Sequence, residues 1–458
     1  MKTLTALKED GLRGRSIRGA LLTGLNFGSQ NALRLAGNLV LTRLLFPEAF
    51  GIMALVQVFL TGLNMFSDLG VRASIVQNKQ GAEPLFLDTA WVFQIGRGFV
   101  LWGATCLLAK PMSVFYDAPI LYQLLPVAGF VAVIQGFNST KMAMASREIK
   151  LGRLTVISMT TRFLGLLAIV LLAWWWQSVW ALAIGSLVAP LITLVASHLL
   201  MPGHNNRFRF DPDAAKSLIK FGKFIFISTL AGFMISQADR AILGKFITLS
   251  ELAYYNIAFF LATVPRMIAQ RLSDAVLFPL YSRRPPAESV ENYRNLAKAR
   301  LGVVGATFAI AVILALAGDL IIRFLYDARY ASAGPLLVLM AVANLPKLVT
   351  SNYGSMLLAR GDSKRFAVMM VCSAMLQTGI LVLGIINFGI LGAVFTPFVA
   401  GILFYPVSIW FIRPYKGWMP GQDLLFGLIT CVIGTLAVWI NFDAIRVPVA
   451  AALAFTGL

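Results

Sequence analysis

Charge is scarce in this chain, and acid is scarcer than base. Only 13% of the 458 residues are Asp, Glu, Lys or Arg, about half the quarter that soluble domains carry. Within that small set, 20 acidic residues face 39 basic ones, for a formal net charge of +19. Cysteine is rarer still. Cys106, Cys372 and Cys431 are odd in number and all lie in apolar stretches, which argues against a disulfide framework. The two histidines, His198 and His204, flank a loop without Cys or carboxylates at ligand spacing. They read as solvated or interfacial side chains, and no metal site is expected. The basic N-terminus is not followed by a short apolar region with a small-residue cleavage site, so no signal peptide is expected.

What the chain has in abundance is apolar length. Hydrophobic residues make up 58% of it, and the mean hydropathy is +0.78. Apolar runs of spanning length recur near 18–44, 49–71, 86–109, 119–141, 152–173, 177–200, 218–247, 250–281, 296–317, 331–358, 365–387, 390–412 and 422–441. A fourteenth begins near 447 and stops at Leu458, too short to span. The expected fold class is therefore an all-α integral membrane protein of twelve to fourteen helices.

The charges sort by side. With the N-terminus taken as cytoplasmic, 26 Lys and Arg fall on the inner side, six on the outer, and seven within spans. So strong a bias over short loops sets the orientation and accounts for the basic balance without nucleic acid. No outer connection exceeds about ten residues, which leaves little room for the external domain that a membrane enzyme of glycan assembly needs.

An internal duplication is visible by eye. "RLLFPEAFGIMAL" (43–55) overlays "KFITLSELAYYNIAF" (245–259) at an offset of 202, and "SDLG" meets "SDAV" at 206. "FYDAP" (115–119) meets "LYDAR" (325–329) at 210, and "ASREIK" (145–150) meets "ARGDSK" (359–364) at 214. Six helices separate each element from its copy, an even number, so the halves share one topology and form parallel repeats. The expected divisions are a basic tail at 1–17, an N-lobe at 18–205, a C-lobe at 206–412 and an appended segment at 413–458.

The first helix carries polar residues that lipid would reject. Asn26, Gln30, Arg34 and Asn38 are four apart and drift only about 40° per step, so they form one stripe. The repeat carries it to Ser228, Gly232, Ser236 and Arg240. The second helix presents Gln57, Asn64 and Asp68 on one face, and its copy presents Thr263, Gln270 and Asp274, with Arg266 and Arg271 nearby. A charge at mid-bilayer costs about 2.5–3.5 kcal/mol on insertion scales. Such residues face water, protein or a polar substrate, and two lobes meeting along these helices would enclose a hydrated, largely cationic cavity. Two readings of the neutral residues stay open: cavity lining, or hydrogen-bonded glue between helices. Asp274 with Arg271 is equally readable as a structural ion pair. Arg34, Arg240 and Lys347 sit deepest among the basic residues.

"LLFPEAFGIMALVQVF", "FSDLG" and "LFPLYSR" (277–283) resemble the polysaccharide-transporter branch of the MOP superfamily, which includes Wzx-type lipid-linked oligosaccharide flippases. The resemblance implies two six-helix lobes around a V-shaped central cavity, lined by the first, second, seventh and eighth helices. It implies a flippase that moves an undecaprenyl-diphosphate-linked repeat unit from the inner to the outer leaflet of a bacterial cytoplasmic membrane, for surface or exopolysaccharide synthesis. Partners implied are that polyprenyl-linked glycan, membrane lipids, and polysaccharide polymerase and chain-length proteins; no cofactor and no catalytic residue are expected. By this resemblance Arg34, Arg240, Arg266, Arg271 and Lys347 are the candidate substrate-binding residues. Asn26, Gln30, Asn38, Gln57, Asn64, Ser236 and Gln270 are the candidate cavity lining. Transport could be driven by a proton or sodium ion on Asp68, Asp239 or Asp274, or by the membrane potential. The competing reading is a MATE-like, cation-coupled exporter of drugs or metabolites, which would call for acidic cavity residues.

Overall fold

Lipid offers no hydrogen-bond partners, so a spanning backbone must satisfy its own N–H and C=O groups, as a helix does. The computed structural model describes residues 12–67, 70–148, 150–446 and 449–450. Every regular element among them is helical. Asp68 and the segment 451–458 lie outside the described residues.

Two compact units divide the chain, Met1–Leu230 and Ala231–Leu458. The first contains α1 (Leu12–Leu44), α2 (Pro47–Phe66), α3 (Val71–Gln77), α4 (Pro84–Phe115), α5 (Leu121–Gly129), α6 (Val131–Gly136), α7 (Lys141–Arg147), α8 (Leu151–Trp176) and α9 (Val179–Leu199). The division falls inside α10 (Pro212–Phe246). The second unit continues with α11 (Leu249–Leu272), α12 (Phe278–Arg283), α13 (Val290–Leu325), α14 (Ala333–Thr350), α15 (Tyr353–Ala359), α16 (Ser363–Ile412) and α17 (Pro420–Ile440). The order repeats: the short α7 precedes α8 in the first unit, as the short α15 precedes α16 in the second.

Local sequence sets the boundaries. Proline occupies the first turn of α2, α4 and α17, where its missing N–H would have no intrahelical partner. At α11, Thr248 and Glu251 form a reciprocal capping box, which satisfies two of the free N–H groups. Helix α16 hides a break. Gly389 has φ 57° and ψ −133°, and a Cβ on Gly392 would collide with the Gly384 backbone, so the chain folds back there into two legs. Pro190, Pro265, Pro346 and Pro397 all lie inside helices that continue through them.

Nine helices or joined helices among the described residues are long and apolar enough to cross a membrane, or ten if the bent pair of Leu121–Gly136 with Lys141–Arg147 is one span. The sequence reading gave more. Part of the difference lies in α1, whose polar residues lower its hydropathy, and in α16, whose two legs count as one helix.

Each unit has its own core. In the first, Leu41 of α1 and Leu45 just past its end pack with Ala173 of α8 and with Ala181 and Leu182 of α9. In the second, α14 is the central helix. Its apolar window is 83% buried, the highest share among these spans, and it packs against α11, α13, α16 and α17. Helix α17, expected as an appendage, belongs to this core: Phe426 packs with Phe308, Leu345 and Val349.

Candidate functional site

In the first unit, residues from α1, α2, α5, α6, α8 and α9 surround a cavity of about 640 Å³. Five residues expected from the sequence meet on its wall: Gln30, Arg34, Asn38, Gln57 and Asn64. The four-residue spacing on α1 is what aligns the first three on one face. Asn26 is not on the wall. Its Oδ1 accepts from Gln30 Nε2 at 3.0 Å, and Gln30 Nε2 also donates to Ser158 Oγ at 2.8 Å. The upper part of the stripe therefore ties α1 to α8, as the helix-glue reading proposed, while the lower part faces the cavity.

Sequence reasoning did not assign Gln135, Asn138, Ser158 and Arg162 to this wall. Their signal in the sequence is a polar residue within an apolar run, outside the duplicated stripes. Arg97, which also lies in a span, has a structural task. Its Nε donates to the Ser67 carbonyl at 2.9 Å and its Nη2 to the Asn64 carbonyl at 2.9 Å. A cation there satisfies the last carbonyls of α2 and complements the negative end of the helix dipole.

In the second unit, Arg240 of α10, Arg266 of α11 and Lys347 of α14 form a half-buried basic cluster. Asp239 is the acidic group in electrostatic reach of both Arg266 and Lys347. Its Oδ2 accepts from Tyr255 OH at 2.9 Å, and its Oδ1 is buried without a hydrogen-bond partner among the described residues. Lys347 Nζ donates to Gln377 Oε1 at 2.6 Å, and Gln377 Nε2 donates onward to the Ile235 carbonyl at 3.1 Å. Arg240 Nη1 donates to Gln237 Oε1 at 3.0 Å, and its guanidinium lies 4.2 Å from the Phe259 ring centroid. Three basic side chains thus stand around one carboxylate.

The remaining expected residues are elsewhere. Ser236 Oγ donates to the Gly232 carbonyl of its own helix at 2.7 Å. Gln270 Nε2 donates to Asp274 Oδ1 at 3.0 Å, and Gln270, Arg271 and Asp274 are all exposed. Arg300, counted in the sequence among the loop charges of the inner side, is instead fully buried in α13. Its Nη2 pairs with Asp423 Oδ1 of α17 at 2.5 Å, while Tyr353 OH and Tyr405 OH donate to Asp423 Oδ2 at 2.5 and 2.9 Å. Among the described residues no group of three His, Cys, Asp or Glu is placed to hold a metal ion. His204 Nε2 instead lies 2.7 Å from Asp88 Oδ1.

The all-helical fold of this chain, with polar groups gathered inside each unit, has counterparts among solved structures. The lipid II flippase MurJ, in an inward closed conformation, matches with a TM-score of 0.69 at 13% identity, over 95% of this chain and 98% of that one. An inward-facing multidrug resistance MATE family transporter of the MOP superfamily matches with a TM-score of 0.64 at 15% identity, over 84% and 95%. Identities this low show a shared fold.

The chain belongs to the polysaccharide biosynthesis protein family, whose model matches residues 40–335. It is 22% identical over 351 residues to the lipopolysaccharide biosynthesis protein WzxC of Escherichia coli (strain K12), covering 76% of this chain and 71% of WzxC. It is 22% identical over 297 residues to the teichuronic acid biosynthesis protein TuaB of Bacillus subtilis (strain 168), covering 64% of this chain and 61% of TuaB, less than two thirds of that relative. These matches bear out the resemblance to the polysaccharide-transporter branch.

Proposed function

We propose that this chain is a flippase that moves an undecaprenyl-diphosphate-linked oligosaccharide repeat unit from the inner to the outer leaflet of a bacterial cytoplasmic membrane. In this reading the N-terminus is cytoplasmic, and lobes at 18–205 and 206–412 rock in alternating access, with 413–458 appended to the second. The observation that carries it is the basic cluster of Arg240, Arg266 and Lys347 around Asp239. A diphosphate is costly to bring through hydrocarbon. Guanidinium groups match phosphate oxygens with a planar fork and an ammonium supplies a point charge, so the cluster replaces the water that the passenger leaves. Names of relatives support the class of cargo: a lipopolysaccharide and a teichuronic acid biosynthesis protein, and a lipid II flippase among structures.

The fold is shared with multidrug transporters, but an organic cation needs acidic partners. The described wall of the first-unit cavity contains no carboxylate, and the second-unit cluster is net basic. Both observations favour an anionic cargo. Asp239 stands as a coupling candidate with one buried oxygen unpartnered among the described residues; Asp274, exposed and bonded to Gln270, is the weaker one.

The test is made in cells deleted for the gene. The wild-type chain should restore surface polysaccharide. The triple variant Arg240→Ala, Arg266→Ala, Lys347→Ala should lower export at least about tenfold at normal membrane levels, the loss of a single charge-assisted bond of about 1.5–3 kcal/mol being enough. Full export by the triple variant would overturn the reading.

A further inference from the structure

The wall of the first-unit cavity is built from carboxamides: Gln30, Asn38, Gln57, Asn64, Gln135 and Asn138. This chemistry differs from that of the basic cluster. A phosphate oxygen only accepts hydrogen bonds, so a phosphate site is best made of donors. A carboxamide presents a donor and an acceptor side by side, as does a sugar hydroxyl. The hydroxyls of Ser158, Thr161, Ser186 and Thr193 on the same wall donate within the protein and leave acceptor lone pairs for a ligand. The volume of about 640 Å³ falls in the range of about 300–1,000 Å³ typical of small-molecule sites. Arg34 and Arg162, both exposed on the wall, would complement a negatively charged substituent on the sugar.

Gln57 and Gln135, both exposed on the wall, turn their carboxamides to whatever fills the space. The described wall also lacks aromatic and acidic side chains, which leaves nothing to hold an organic cation.

We propose that this cavity is a saccharide subsite, which recognises the hydroxyl groups of the repeat unit independently of its diphosphate. The proposal rests on the flippase reading and divides that cargo by chemistry: hydroxyls to the amide-lined cavity, phosphate to the basic cluster.

The full chain is purified in detergent and titrated calorimetrically with two probes. One is the repeat-unit oligosaccharide released by mild acid from the lipid-linked pool of cells deleted for the gene; the other is inorganic diphosphate. The variant is Gln57→Leu with Gln135→Leu, both side chains being exposed, so folding should be preserved, with an unchanged unfolding temperature as the check. Asn138→Leu serves as a second, independent variant. The oligosaccharide should bind the wild-type chain and at least tenfold more weakly to either variant, while diphosphate binding is unchanged. Equal oligosaccharide affinity in wild type and both variants, no oligosaccharide binding by wild type, or parallel loss of both probes would overturn the subsite. If the deleted cells accumulate no lipid-linked pool, the flippase reading itself fails and the subsite falls with it.

Discussion

Arg300 and Lys347 are both basic residues drawn into the second unit, and their surroundings give them different work. Arg300 is fully buried, shares Asp423 with two tyrosines, and also donates to the Val349 carbonyl at 2.8 Å. Every one of these partners ties α13 to α14, α15, α16 or α17, so this is a structural latch. Removing one partner of a buried pair costs about 3–5 kcal/mol, because the survivor is left charged and unpaired. Asp423→Ala should therefore unfold detergent-solubilised protein at markedly lower denaturant. Arg300→Met combined with Asp423→Leu should recover much of that loss. Lys347, by contrast, has Asp239 and Arg266 in electrostatic reach and is hydrogen-bonded only to a neutral amide among the described residues, rather than locked in an ion pair. The sequence distinguished these two residues wrongly. Arg300 lies near the start of the apolar run 296–317 and counts with the inner-side charges, because its acid is 123 residues away and no local spacing reports the pair. The α1 stripe was legible because four-residue spacing fixes a helical face whatever the helix packs against.

Among the elements, α16 depends on a single backbone conformation. Gly389, at φ 57° and ψ −133°, occupies a region that only glycine enters without strain of about 1–3 kcal/mol. Gly389→Ala should lower stability by that order. Gly379→Ala in the same helix, where a Cβ would meet nothing within 4 Å, should be neutral or mildly stabilising, since alanine favours helix over glycine by about 1 kcal/mol. Paired unfolding curves check both. The separate apolar runs at 365–387 and 390–412 had already located this turn. What hydropathy did not resolve was the place of α17, whose outline reads as one more span. Its Asp423 and Phe426 make it part of the second unit's core. Outside the spans, Asp362 caps α16. The hydrogen bond from Tyr415 OH at 2.6 Å, then the Arg365 backbone N–H, hold its carboxyl below the usual carboxylate range. This cap is intact above the ordinary carboxylate pKa and is lost only as pH falls through the lowered value.

For the molecule as a whole, one imbalance links composition to the site. The +19 net charge is mostly a matter of orientation, with basic loops on one side. The few basic residues left within spans are the informative ones, and in each unit they lie with polar groups rather than scattered through apolar helices. Arg34 and Arg162 reach the first-unit cavity, while Arg240, Arg266 and Lys347 share the second-unit cluster. On the proposed reading, this positive excess within the spans is there to receive a negative passenger. The most direct measurement is made in vesicles containing the purified chain and a fluorescent polyprenyl-diphosphate oligosaccharide, with outer-leaflet label quenched over time. Wild-type chain should make the inner-leaflet label accessible to quencher, and the Arg240→Ala, Arg266→Ala, Lys347→Ala variant should leave it protected. Equal rates for the two proteins, or a wild type no faster than empty vesicles, would contradict the account.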